Sequence, residues 1–290
     1  MRLHGVVVPI VTPLTAHDEV DRDGLQRLLQ RLIGTGVHGI FVAGTTGEVL
    51  ALKRRTRLDA IAAVCDAVGG RIAVVAGVVS NCLQEILDYS EAAADSGAGY
   101  LALQPPPYFP LDNGHIAKFY EQVAERAPLP LVLYNLPQMT NNRISTENVL
   151  KLAADPRIAG IKDSSGDLAY FKAVVEHRTR PDFRVFMGDE ALCLEGLRMG
   201  ADGIVPSLAN VHPELCCACY EACRQGDWAA AQARQQEILD LITPLRSTGS
   251  WLCMLKWIKG QLQEQGVCEA HVSSIFAEAP SGIRRLNAVG

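Results

Sequence analysis

Short apolar runs alternate with amphipathic stretches along most of the chain. The runs are Val6–Ile10, Gly39–Ala43, Ile72–Val78, Tyr100–Leu103, Leu131–Tyr134, Ile158–Lys162, Phe183–Met187 and Gly203–Val205. They are rich in Val and Ile and often nearly continuous, as strands buried on both faces are. Between them, Leu25–Ile33, Arg57–Val68, Leu83–Ala94 and Ile116–Arg126 carry apolar residues at helical spacing. Eight such alternations within about 225 residues predict an α/β fold, a closed parallel (β/α)8 TIM barrel over residues 1–225. A doubly wound open sheet is the competing arrangement on pattern alone. Beyond Asp227 the strand pattern stops, and Trp228–Leu241, Trp251–Gln263 and Val272–Leu286 read as helices. No Pro/Gly/Ser linker precedes them. Residues 226–290 are therefore expected to form a C-terminal helical extension packed on the barrel, within one structural unit.

Composition narrows the class without naming a function. Lys+Arg number 27 against Asp+Glu 32, a net charge of −5 over 290 residues, so there is no general pull toward nucleic acid or membrane surfaces. No apolar run approaches the roughly 18 residues that span a bilayer. The N-terminal apolar run is short and lacks a small-residue cleavage site. Nine cysteines, an odd number without a secretory signal, fit a reduced, cytoplasmic protein. Cys216, Cys219 and Cys223 share one helical face, where small soft side chains pack. No CxxC pair separated from a second such pair, no HxH and no HExxH is present, so no metal is expected. GxGxxG after the first strand, GxxxxGK[ST] and GxSxG are likewise missing, and nothing argues for an organic cofactor.

In a barrel of this kind, chemistry gathers where strands end at the C-terminal face. The second run ends in Ala43-Gly44-Thr45-Thr46-Gly47-Glu48. Its glycines allow a sharp turn, and free N–H groups with two hydroxyls make a cradle for a carboxylate or phosphate. Thr45-x-x-Glu48 also reads as a capping box for the next helix. The fifth run ends in Tyr134-Asn135-Leu136-Pro137, where a tyrosine either packs its ring or moves a proton. The sixth ends in Gly160-Ile161-Lys162-Asp163-Ser164-Ser165-Gly166. A lysine there either snorkels to solvent or lies inside the barrel, and an amine kept from water attacks carbonyl carbon. Neighbouring strands would let Lys162 face Tyr134, the pairing a Schiff-base enzyme requires. His38 and His212 flank strands and read as structural.

These three motifs, in this order and spacing, resemble the dihydrodipicolinate synthase/N-acetylneuraminate lyase family. The similarity runs from Gly5-Val6-x-x-Pro9-x-x-Thr12-Pro13 to Leu255-Lys256. The resemblance implies a (β/α)8 barrel with C-terminal helices and metal-free class I chemistry on pyruvate or another 2-oxo acid. Carried over by position, Lys162 forms the imine and Tyr134 moves protons. Thr45, Thr46 and Gly47 receive the substrate carboxylate, and Tyr134 with Thr46 forms the proton relay. Tyr108 matches a tyrosine that in many members enters a neighbouring subunit's site. Gly188 and Ile204 match residues lining the pocket, and a homotetramer or dimer is expected.

One position departs from the synthase pattern. Two residues after Pro137, where synthases carry an arginine for the second substrate's carboxylate, this chain has Met139, flanked by Gln138 and followed by Thr140-Asn141. Asn141 can still adopt a left-handed turn, but a thioether cannot pair with a carboxylate. The reading is a Schiff-base lyase or aldolase on a 2-oxo acid, with a 2-keto-3-deoxy sugar acid as candidate substrate and an uncharged aldehyde as its other fragment. The alternatives are dihydrodipicolinate synthesis, a 2-keto-3-deoxy acid dehydratase and, from a different class, a non-catalytic keto-acid-binding protein.

Overall fold

The computed structural model describes residues 2–277. Eight strands close into a parallel barrel in sequence order: β1 Gly5–Pro9, β2 Gly39–Val42, β3 Ala73–Gly77, β4 Tyr100–Leu103, β5 Leu131–Asn135, β6 Ile158–Asp163, β7 Arg184–Met187 and β8 Gly203–Ile204. Each lies within one or two residues of a predicted run, and closure of β1 on β8 excludes the open sheet. Helices fill the crossovers, several of them started by a side-chain cap. Asp21, Asp112, Ser145 and Asp167 each accept a hydrogen bond from a first-turn N–H.

The continuous apolar runs hide a strict alternation. Val8, Ile40, Val74, Leu101, Leu133, Ile161, Val185 and Ile204 pack outward into the core shared with the helices. Val7, Phe41, Val75, Ala102, Val132, Tyr134, Phe186 and Val205 fill the barrel interior. Both faces are buried, so the sequence shows no polar alternation, yet strand geometry still sorts the residues by parity.

The helices Trp228–Arg246 and Trp251–Glu264 follow the barrel, and the first runs five residues beyond its predicted end at Leu241. Ile238, Ile242, Leu255 and Ile258 join the same apolar core as the barrel's outer face. Of the third expected helix, Val272–Leu286, the structure describes a single turn at Ser274–Ala277; residues 278–290 lie outside the described residues. Cys216 and Cys219 are buried in the helix Pro213–Gln225, and burial pushes both thiols upward.

Candidate active site

The two central side chains are set by strand pairing. Tyr134 stands opposite Lys162 across β5 and β6, and Asn135 opposite Asp163. Alternation turns the first pair into the barrel and the second pair away from it. Lys162 is only 7% exposed, with Nζ 4.1 Å from the Tyr134 ring centroid and 5.2 Å from that of Phe41. Among the described residues none accepts a hydrogen bond from this amine, which opens on a cavity of about 380 Å³.

Behind them, Asn135 Nδ2 donates to Asp163 Oδ1 at 2.7 Å, and Asn135 Oδ1 accepts from the Ile144 N–H. Ser165 donates to Asp163 through its N–H and its hydroxyl. Burial pushes the Asp163 carboxyl upward, and these bonds oppose it. This network pins the two strands one residue beyond Tyr134 and Lys162. The sequence motifs contain Asn135 and Asp163, but apolar patterning gives them no role.

Gly188 follows from the same crowding. Its N–H donates to the Asp163 carbonyl at 2.7 Å. A Cβ placed there would lie 2.2 Å from Ser164 Oγ and 2.8 Å from Lys162 Cε. Only glycine leaves the lysine its place.

Thr45 and Thr46 both line the cavity, as expected. The contact with Tyr134 belongs to Thr45, whose Oγ1 lies 3.2 Å from the phenolic oxygen. Thr46, expected as the relay partner, makes no such bond. The N–H groups of Thr45 and Thr46 donate to no group among the described residues, so the turn presents two donors and two hydroxyls, the complement of a carboxylate. Gly47 fits under Thr12, whose hydroxyl donates to its carbonyl at 2.8 Å.

The capping box does not form. The next long helix starts at Arg54 with no side-chain cap, and Glu48 itself adopts φ +60°. Its carboxylate turns into the protein, where Oε1 pairs with Lys259 and Oε2 accepts from the Ser273 N–H at 2.7 Å. Both charges are fully buried. Burial alone lowers the Lys259 ammonium, and Glu48 opposes that. A charge left here without its partner would be costly, so the pair ties the threonine turn to the C-terminal helices.

The outer cavity departs further from expectation. Gln138 lines it, with Nε2 donating to the Ser164 carbonyl at 2.7 Å, and Met139 sits at the mouth, 47% exposed. Asn141 takes the left-handed conformation, φ +61°, that closes the short helix Pro137–Thr140. Its side chain is exposed outside the cavity, because that conformation turns the chain away. Ile204 does not line the cavity either: its parity sends it outward, and Val205 takes the inner place. Tyr108 is 79% exposed, stacked edge-on against Phe109 and clear of its own chain's cavity.

Sequence reasoning missed the far wall. Arg246, at the end of the helix Trp228–Arg246, reaches the cavity and holds Asp189 through two hydrogen bonds. Glu190 is buried beside it, accepting from the Ser207 hydroxyl at 3.0 Å and the Leu208 N–H at 2.9 Å. Burial pushes its carboxyl upward against those bonds. Arg246 lies 57 residues from Asp189, in a segment whose only sequence signal is helical periodicity.

Comparison with known proteins agrees with the class that such a lysine defines, a class I Schiff-base lyase on a (β/α)8 barrel. The profile of the Dihydrodipicolinate synthetase family matches residues 2–273, and the chain belongs to that family. A 4-hydroxy-tetrahydrodipicolinate synthase of Salinibacter ruber is 36% identical over 241 residues, covering 82% of this chain and 79% of the relative. The dihydrodipicolinate synthase structure of Bacteroides thetaiotaomicron superposes with a TM-score of 0.89 at 34% identity, covering 94% and 92% of the two chains. A prophage protein of the family from E. coli, solved in complex with pyruvate, gives 0.88 at 27% identity over 96% and 93%.

Proposed function

We propose that this lyase cleaves or condenses pyruvate-derived 2-oxo acids through an imine at Lys162, and that its second fragment is an uncharged hydroxyaldehyde, as in a 2-keto-3-deoxy sugar acid. The Lys162 amine attacks the C2 carbonyl carbon, and loss of water leaves the protonated imine. The Thr45–Thr46 turn takes the C1 carboxylate. Tyr134, steadied by Thr45, accepts the C4 hydroxyl proton as the C3–C4 bond breaks and the aldehyde leaves. The imine nitrogen receives the electron pair, the enamine is protonated at C3, and water releases pyruvate. Pyruvate in the related prophage protein supports the first fragment.

The observation that carries the aldehyde assignment is the charge of the outer cavity. Lys162 and Arg246 are its cations among the described residues, and Arg246 is already engaged by Asp189. Met139 stands where a synthase would place an arginine. A second carboxylate would therefore be desolvated with no free cation, whereas hydroxyls find donors and acceptors in Gln138, Asp189, Ser207 and Ser250. A charge-assisted hydrogen bond contributes roughly 1.5–3 kcal/mol, so its absence costs about 10- to 150-fold in selectivity. The names of the synthase relatives favour the other reading, aspartate semialdehyde. The test is kcat/KM for pyruvate condensation with each aldehyde: an uncharged hydroxyaldehyde should win, and a tenfold advantage for aspartate semialdehyde replaces this reading with the synthase.

The same proposal includes a homo-oligomer, tetramer or dimer, in which Tyr108 enters a neighbouring copy's site. Its ring, exposed beyond a stiff Pro105-Pro106-Pro107 run, supports that role. A fully active monomer in light scattering would remove it. Nine cysteines, none of them disulfide-bonded, support a reducing compartment such as the cytoplasm. No helix among the described residues is long and apolar enough to cross a membrane.

A further inference from the structure

The segment that presents Tyr108 is poor in ways to hold itself. Residues 105–111 include four prolines, which have no N–H to donate. Tyr108 nevertheless adopts φ +85°, a left-handed conformation that is strained for a non-glycine residue and persists only when its surroundings enforce it. One side chain supplies the restraint. Asn142 is buried, and its Nδ2 donates to the carbonyls of Pro106 and Phe109, both at 2.8 Å. Its Oδ1 accepts from the Leu111 N–H at 2.7 Å. Among the described residues these are all the hydrogen bonds that the 105–111 segment makes, and they bracket Tyr108 on both sides.

Asn142 is fixed in turn from the catalytic strand. Its own N–H donates to the Thr140 hydroxyl at 3.2 Å, and Thr140 Oγ1 lies 3.1 Å from the Leu136 carbonyl, two residues beyond Tyr134. Thr140 is completely buried. A continuous chain of hydrogen bonds thus joins the end of β5 to the Tyr108 segment. The task needs a planar group that donates twice and accepts once, which an amide does and a carboxylate does not.

We propose that Asn142 is a positioning residue that holds Tyr108 in the conformation in which it serves another copy's site. This rests on the role proposed above for Tyr108, and a double-mutant cycle separates the two. Asn142→Asp keeps the shape and the acceptor but removes both donors. Tyr108→Phe should lower kcat by about 10²-fold or more, as the loss of a proton-transferring group does. Asn142→Asp should bring kcat to within a few-fold of that variant, and the double variant should fall no further than the slower single one. Borohydride trapping of pyruvate on Lys162 and the oligomeric state should stay at wild-type levels in all three. If Asn142→Asp does not fold, Asn142→Ala removes every side-chain bond to the Tyr108 segment without burying a charge and is measured in its place. Wild-type turnover in Tyr108→Phe overturns the reading of Tyr108. A slow Tyr108→Phe beside a fully active Asn142 variant, or multiplicative losses in the double variant, overturns the positioning role alone.

Discussion

The two ends of the cavity are built differently. The deep end stands on neighbouring strands: Tyr134 and Lys162 are paired across β5 and β6, and Asn135 with Asp163 locks the same register one residue later. The outer end is assembled from loops and from a helix far along the chain, with Met139 after β5, Asp189 after β7 and Arg246 at the close of Trp228–Arg246. Strand positions are over-determined by sheet hydrogen bonds and packing on both faces, so a reacting group placed there keeps its geometry. Loop positions change without disturbing the barrel. We propose accordingly that the deep end carries the chemistry shared across the family and the outer end the choice of aldehyde.

If that division is right, the largest losses come from the strand ends. Lys162→Ala should abolish turnover while the melting temperature stays near wild type, because the lost group is chemical rather than structural. Calorimetry beside a pyruvate-release assay checks both halves. Tyr134→Phe keeps the ring against Lys162 and removes only the hydroxyl. Turnover should fall by about 10²–10⁴-fold while borohydride still traps pyruvate on the protein, and unchanged turnover takes Tyr134 out of the mechanism. Gly188→Ala forces a methyl toward Lys162 Cε and Ser164 Oγ. A displacement of the amine near 1 Å should cost roughly 100-fold in kcat, with wild-type activity showing that the crowding is relieved elsewhere.

The outer end should answer in selectivity instead. Met139→Arg supplies a free cation at the mouth. It should raise kcat/KM for aspartate semialdehyde relative to an uncharged hydroxyaldehyde by about 10- to 150-fold and leave pyruvate trapping unchanged. A uniform change for both aldehydes would erase the distinction between the two ends.

The same contrast explains what the sequence discloses. All eight strands are legible because buried parallel strands read as short Val- and Ile-rich runs; Lys162 and Tyr134 stand out as candidates because each closes such a run, and Thr45 because it lies two residues past one. Parity within a run was less visible: Ile204 reads as a lining residue until the register on β1 and β7 turns it outward and brings Val205 in. Contacts between distant segments left no local trace. Glu48 imitates a helix cap in sequence but pairs with Lys259, 211 positions away, and Arg246 meets Asp189 across 57. Asn142 is a polar residue in a turn until its three partners around Tyr108 are seen.

Imine formation by the amine of Lys162 is the step on which the whole proposed mechanism depends. Borohydride reduction in the presence of pyruvate, followed by peptide mass analysis, tests it most directly. One pyruvate-derived mass addition is expected, on the peptide carrying Lys162, and none in Lys162→Ala. Addition to another lysine, with Lys162 unmodified, would rule out Lys162 as the imine-forming residue.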